Sequence, residues 1–435
     1  MKFDSVLKRL QLPISYNSSI RIVGCVTSVA GCFVTASGCQ ARVGDVARII
    51  SNGEVLECEV IGGGKEFILL PCNGILGIAV GDEVEFMGHE PMLNIYVDPY
   101  SKTLDGFGLI DNLRPSSIVT ATHLYPRKVP VKERDIVSVK YETGCPILDS
   151  VLPIGSGQKV GVFAGSGIGK STLINMLYKN IRVDIKIVVL VGERSREVVE
   201  FEKKHLNNNQ FGETIIIAST SEDSPFLKRR SVYIGLAYAK YFSEKGKEVL
   251  LVIDSLTRLA HSMREIGISR GEAPVARGYP PSVFSELSLI VEQCGAFNSY
   301  GNITAVMSIL VDGDDSNEPV SDYLRGILDA HLILDRNIAN SGLYPPINIL
   351  ASRSRVVDYT LNENERRIEK NIRKVYSDYN KVRDVIDSGL YQKGTSEKID
   401  ALISIKKITE DSLHCWGEQF DDNVREEIDR YVENF

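Results

Sequence analysis

This chain has no long apolar run and no excess of positive charge. No stretch approaches the ~20 apolar residues that span a bilayer, and the N-terminus lacks the apolar core of a secretory leader. Fifty Lys and Arg face 57 Asp and Glu, for a net charge of −7. That balance argues against a protein whose main business is coating nucleic acid. Eight cysteines are scattered with no C-x-x-C, and no histidine sits at metal-ligand spacing from them. Separate reduced thiols in a cytoplasmic protein are expected, with neither a disulfide framework nor a zinc site. Internal repeats and low-complexity tails are also missing. What remains is 435 residues, 43% hydrophobic and 25% charged, enough to bury a large core in two or three domains.

Residues 19–87 read as short β-branched runs broken by Gly, Asn and Asp, such as 20–26, 31–35, 55–61 and 66–70. Closely spaced strands with turn signals predict a small β-barrel or sandwich. From about residue 138, apolar runs alternate with helical patterns. The runs 159–164, 185–191, 214–219, 249–253, 303–311 and 331–334 are almost wholly apolar, as parallel strands covered on both faces are. After Asp358 the chain turns charged. Ile368, Ile372, Val375, Tyr379, Val382 and Ile386 recur at helical spacing, which predicts a helical end. The expected architecture is α/β, with a small barrel over 1–91, a parallel-sheet core over 92–358 and helices over 359–435.

Four segments carry chemistry. The apolar run 159–164 leads into Gly165-Ser166-Gly167-Ile168-Gly169-Lys170-Ser171-Thr172, with Ala164 where the strict phosphate-loop pattern begins with Gly. Such a loop closes backbone N–H groups around a polyphosphate. Its lysine places a charge at the β- and γ-phosphates, and its serine hydroxyl suits Mg²⁺. The run 249–253 ends in Asp254, read as the carboxylate that holds the metal through water, or else as a turn or helix cap. The run 185–191 leads into Gly192-Glu193-Arg194-Ser195-Arg196-Glu197. Glu193 at a strand's carboxyl end can polarise an attacking water, and Glu197 can order the metal's waters; a charge-paired helix start explains the same residues equally well. Finally, Tyr344-Pro345-Pro346 could stack a base or be an ordinary turn. Arg355, beyond the last strand, could reach a neighbouring subunit's γ-phosphate.

These segments closely resemble the catalytic-subunit family of rotary F/V-type ATPases, above all its type III protein-export branch. Further matching text is Ile253-Asp254-Ser255-Leu256-Thr257-Arg258, Arg277-Gly278-Tyr279-Pro280-Pro281, Asp312-Gly313-Asp314-Asp315 and Arg325-Gly326-Ile327-Leu328-Asp329. The resemblance covers residues 92 to 415. It implies a RecA-like ATPase core that uses ATP and Mg²⁺. The loop from Gly165 to Thr172 would bind nucleotide, with Thr172 near the α-phosphate. Glu193 would be the catalytic carboxylate, Arg194 and Arg258 would help order the site, and Ser171, Asp254 and Glu197 would serve the metal. Tyr344 matches the adenine-stacking position and Arg355 the arginine finger. Having both Glu193 and Arg355, identical subunits could build every site at their interfaces in a homohexamer.

The same resemblance implies a protein-export ATPase, flagellar or of a virulence injectisome. It would sit at the inner face of the cytoplasmic membrane with regulator and stalk proteins, an export gate and chaperone–cargo complexes. An ATP synthase β subunit is the second enzyme reading, and a non-enzymatic scaffold is the bland one. An RNA translocase would need a basic N-terminal domain, yet residues 1–90 hold seven Lys and Arg against ten Asp and Glu. Three departures from the family stand out: Ala330 in place of glycine, Arg353 two residues before the finger, and a divergent barrel.

Overall fold

The structure, a computed structural model, describes residues 21–38, 40–96, 100, 102–110, 118–205, 213–311, 318–417 and 420–434. The stretch Asp312-Gly313-Asp314-Asp315 lies outside the described residues. The chain forms two compact units, one of residues up to Pro91 with Ser269–Gly271, the other of Met92–Ile268 with Glu272–Phe435.

The first unit is a closed barrel. Strands β1 (Ile22–Ala30), β2 (Phe33–Ser37), β3 (Val46–Ser51), β4 (Glu54–Gly63), β5 (Phe67–Pro71) and β6 (Glu83–Phe86) pair antiparallel in the order β1-β2-β5-β4-β3-β6, and β6 returns to β1. Alternating inward residues fill it, among them Val26, Val34, Ala36, Ile49, Leu69 and Val84. Gly24 is required where β1 meets the end of β2, because a Cβ there would lie 1.7 Å from the Ser37 carbonyl oxygen.

In the second unit, β7 (Met92–Tyr96) pairs with β9 (Ile118–His123). The main sheet holds β8 (Lys102–Leu104), β10 (Lys159–Ala164), β11 (Ile185–Glu193), β12 (Glu213–Thr220), β13 (Val249–Asp254), β14 (Ile303–Leu310), β15 (Ala330–Ile333) and β16 (Arg353–Ser354). Their order is β16-β15-β10-β14-β13-β11-β12-β8, parallel except for the β15–β16 pair. The apolar runs are explained by burial on both faces. Along β11, Ile185, Ile187, Val189 and Val191 enter one core, while Val188 and Leu190 enter the other. The long helix Pro225–Glu244 covers the first face. On the second face lie the helix Lys170–Asn180 and, toward the C-terminus, the helices Glu363–Asp387, Glu397–Leu413 and Asp422–Asn434. The change in composition near Asp358 is thus a switch from sheet to helices within one compact unit. The first of these helices begins with a capping box between Asn362 and Glu365, and its Ile372 and Val375 are fully buried.

Candidate functional site

In a parallel sheet every strand delivers its C-terminal end to the same edge, and neighbouring register decides which side chains meet there. Val162 of β10 stands opposite Ser308 of β14, and Ile253 of β13 opposite Met307. Ser308 is therefore set beside Asp254, the last residue of β13. Its hydroxyl donates to Asp254 Oδ1 at 2.6 Å, and Lys170 Nζ donates to the same oxygen at 2.5 Å. Lys170 also reaches Ser308 Oγ at 3.3 Å.

The loop between β10 and Lys170 needs glycine for conformational reasons. Gly167 and Gly169 have φ of +78° and +102°, the left-handed region that penalises side chains. Gly165 and Ile168 are buried, whereas Ser166, Ser171 and Thr172 face solvent. The helix Lys170–Asn180 starts directly at the loop, with no side chain capping its free N–H groups, which makes a ready anion site. Arg336 Nη2 lies 3.4 Å from the Ser166 carbonyl and adds positive charge beside the loop.

Glu193 reaches this edge through a bulge. Strict alternation along β11 would send it to the Val191 side, away from the site. The pairing with β12 slips between Val191 and Glu193, and Gly192 takes φ +63° at the slip. Glu193 therefore lines the same cavity as Val188 and Leu190. That cavity, of about 390 Å³, is also lined by Ser171, Asn175, Asp254, Glu197 and Arg196. Arg258 Nη1 pairs with Glu193 Oε1 at 2.6 Å and donates to the Gly192 carbonyl at 2.9 Å. Among the described residues Glu193 Oε2 is buried with no hydrogen-bond partner. Burial raises the Glu193 carboxyl to about 7, assisted by the neighbouring Glu197 carboxyl and the Asp254 charge, while Arg258 pulls the other way.

Not every expected residue converges. Arg194 is three-quarters exposed and approaches Glu197 at 3.9 Å, so Arg258 alone of the two expected arginines holds Glu193. Tyr344 does stand at the phosphate loop, since a Cβ on Gly169 would lie 3.7 Å from its ring. Arg355 lies elsewhere in the chain. It donates to the Gly326 and Arg325 carbonyls at 3.2 and 3.5 Å and lines a separate cavity with Lys159, Glu292 and Asp329. Arg353 and Arg355 flank buried Ser354 and are both exposed, two residues apart on one side of the chain. Ser308, Asn175 and Arg336 carry no motif that marks them for the site, because their place there depends on strand register and loop return.

The sequence profile of the ATP synthase alpha/beta family nucleotide-binding domain matches residues 144–354, and that of the T3SS EscN ATPase C-terminal domain matches 361–414. The flagellum-specific ATP synthase of Borreliella burgdorferi is 35% identical over 94% of this chain and 95% of its own length. That of Bacillus subtilis is 37% identical over 93% and 92%. The type 3 secretion system ATPase of Xanthomonas euvesicatoria is 35% identical over 88% and 87%. This chain belongs to the flagellar and type III secretion ATPase family. The fold agrees: the assembled ATPase EscN of the enteropathogenic E. coli type III secretion system superimposes with a TM-score of 0.86 at 29% identity. It covers 94% of this chain and all of that one. The chain is accordingly a P-loop ATPase. Among the described residues no helix is long and apolar enough to cross a membrane, and no cluster of three or more His, Cys, Asp or Glu is placed to hold a metal.

Proposed function

We propose that this chain is a Mg²⁺-dependent ATPase that energises type III export of flagellar proteins across the cytoplasmic membrane, hydrolysing ATP at the interfaces of a homohexamer. The observation that carries the reading is the meeting of Lys170, Asp254 and Glu193 at one sheet edge, beside a glycine loop opening a helix. The amides of Gly165–Thr172 and the Lys170 ammonium bind the phosphates, and the Tyr344 ring stacks on adenine. Arg258 fixes one Glu193 oxygen, leaving buried Oε2 to orient the attacking water and take its proton. A carboxyl near 7 suits that task, since a general base works best close to the operating pH.

The metal reading fits the donors present. Ser171, Asp254 and Glu197 offer only hard oxygen, which Mg²⁺ prefers, and so sparse a set leaves room for its waters and the phosphates. Bound there, Mg²⁺ would neutralise charge developing on the phosphoryl oxygens. Arg355, remote from the loop of its own chain, would complete the site of the next subunit as its arginine finger. Flagellar export is favoured over an injectisome because the Borreliella and Bacillus relatives are flagellum-specific ATP synthases. The proposed location is the cytoplasm, peripheral to the inner membrane at the export apparatus. There the partners would be regulator and stalk proteins, the export gate and chaperone–cargo complexes, and no nucleic acid. One solved relative, EscN, is in complex with its central stalk EscO, which supports the stalk assignment.

Steady-state phosphate release by the purified protein tests the enzyme reading. Lys170→Ala should lower the rate at least about 10³-fold, within the range that phosphate-clamping charges supply. A wild-type rate equal to that of Lys170→Ala would leave only the scaffold reading.

A further inference from the structure

The segment carrying Tyr344 and Arg355 is tied to the sheet through β16 and the Pro346 and Asn348 backbone, and it is also held from the C-terminal helices. At one end His414, just past the helix Glu397–Leu413, donates from ring Nδ1 to the Pro345 carbonyl at 2.7 Å. Further along, Arg373 of the helix Glu363–Asp387 donates to the carbonyls of Ile349 and Ser352 at 2.7 and 3.3 Å, and its guanidinium also pairs with buried Glu369. Pro345 and Pro346 are buried, while Tyr344 projects toward solvent beside Gly169. The ring is thus a short lever on an anchored Pro-Pro base. Proline cannot donate, so the Pro345 carbonyl supplies the polar handle of that peptide; the Ile347 N–H donates to it at 2.8 Å, and His414 supplies its side-chain partner from the helical end. Burial holds the imidazole below its usual value, against the opposing effects of the Pro345 carbonyl and Glu410. A carbonyl can only accept, so the contact places a proton on Nδ1.

We propose that His414 is a positioning residue for the nucleotide base: by fixing the Pro345 carbonyl it sets the Tyr344 ring over the phosphate loop. The C-terminal helix Glu397–Leu413 is thereby tied to adenine binding, and by linkage base binding biases the helix in return. The inference rests on the reading of Tyr344 as the base-stacking residue. The phosphate loop is held instead by β10, the helix Lys170–Asn180 and Arg336 at the Ser166 carbonyl. Loss of the contact should therefore separate base from phosphate recognition.

The test compares His414→Ala, His414→Asn and Tyr344→Ala in the full-length protein. It measures KM and kcat for ATP, together with inhibition by inorganic tripolyphosphate, which carries phosphates and no base. His414→Ala should raise KM for ATP about threefold to tenfold, the size of one hydrogen bond, with kcat within about twofold and tripolyphosphate inhibition unchanged. His414→Asn, whose amide N–H can stand in for Nδ1–H, should recover most of the loss. Tyr344→Ala should raise KM about tenfold or more, as loss of base stacking does. If Tyr344→Ala raises KM and His414→Ala does not, the positioning role is overturned while the stacking reading stands. If Tyr344→Ala leaves KM unchanged, the stacking reading fails and the inference with it. Parallel weakening of ATP and tripolyphosphate in His414→Ala would also overturn it, as a general loss of structure. Trp416, the only tryptophan and two residues from His414, supplies a second signal. Its emission should respond to ATP more than to tripolyphosphate in the wild type, and an equal response to both would count against the proposal.

Discussion

Glu193 joins burial to function in one side chain. Folded, it keeps its proton up to about pH 7; unfolded, it loses it near the ordinary value of 4.5. Between those limits the folded state holds more protons, so this group makes stability fall as pH rises through the window. Glu193→Gln cannot ionise and escapes that loss. The thermal midpoint of Glu193→Gln relative to wild type should therefore climb between pH 5 and pH 8, by melting scans at matched ionic strength. A difference that stays flat across this range would mean the carboxyl is not held high. Its neighbour Lys170 shows how much the sequence can declare at this scale. A lysine directly after a glycine loop has one chemical reading, whereas Glu193 was equally readable as part of a capped helix start. Burial, one oxygen held by Arg258 and the other without a hydrogen-bond partner among the described residues separate the two readings, and no residue string displays them.

At the scale of elements, β11 is decisive. Its apolar run was legible because it is buried on both faces, but its last two residues do not follow the strand's own period. The bulge at Gly192 puts Glu193 on the face of Val188 and Leu190, and φ +63° there suits glycine. A Cβ at that position would make only ordinary contacts, 3.5 Å from Lys228 and 3.6 Å from Arg258. Crowding is therefore absent, and backbone strain of about 1–2 kcal/mol is the main cost of a side chain. Gly192→Ala should lose about 1 kcal/mol in denaturant unfolding and at least about tenfold in kcat, as relaxation of the bulge turns Glu193 away. Gly192→Asn should be milder, because asparagine tolerates the left-handed region. Equal kcat in all three proteins would show that the bulge does not aim the carboxylate. The strands β8 and β16 escaped sequence reading for a related reason: three and two residues are too few to show a period.

At the scale of the whole molecule, one chain holds a phosphate loop with its carboxylates at one place and Arg355 at another, with different cavities around them. Shared sites in a ring of identical subunits reconcile the two. Mixing Glu193→Gln with Arg355→Ala at equal amounts should restore activity, because about a quarter of randomly formed interfaces then pair an intact carboxylate with an intact arginine. Phosphate release from the mixture, set against each variant alone, measures this; no gain on mixing would rule out sites completed by Arg355 of a neighbour. Arg353→Ala in the same assay decides between two arginines that are both exposed on one side of the chain.

The sequence by itself determined the barrel, the two-sided sheet, the helical end and the phosphate loop. Each depends on local period, turn chemistry or a glycine pattern, and those are written along the chain. Only the tertiary structure decided that Arg258 rather than Arg194 grips Glu193, that Ser308 supports Asp254, and that His414 reaches back across 69 residues to Pro345. Such contacts follow from strand register, a one-residue bulge and the packing of distant helices, where a shift of one residue turns a side chain to the opposite face.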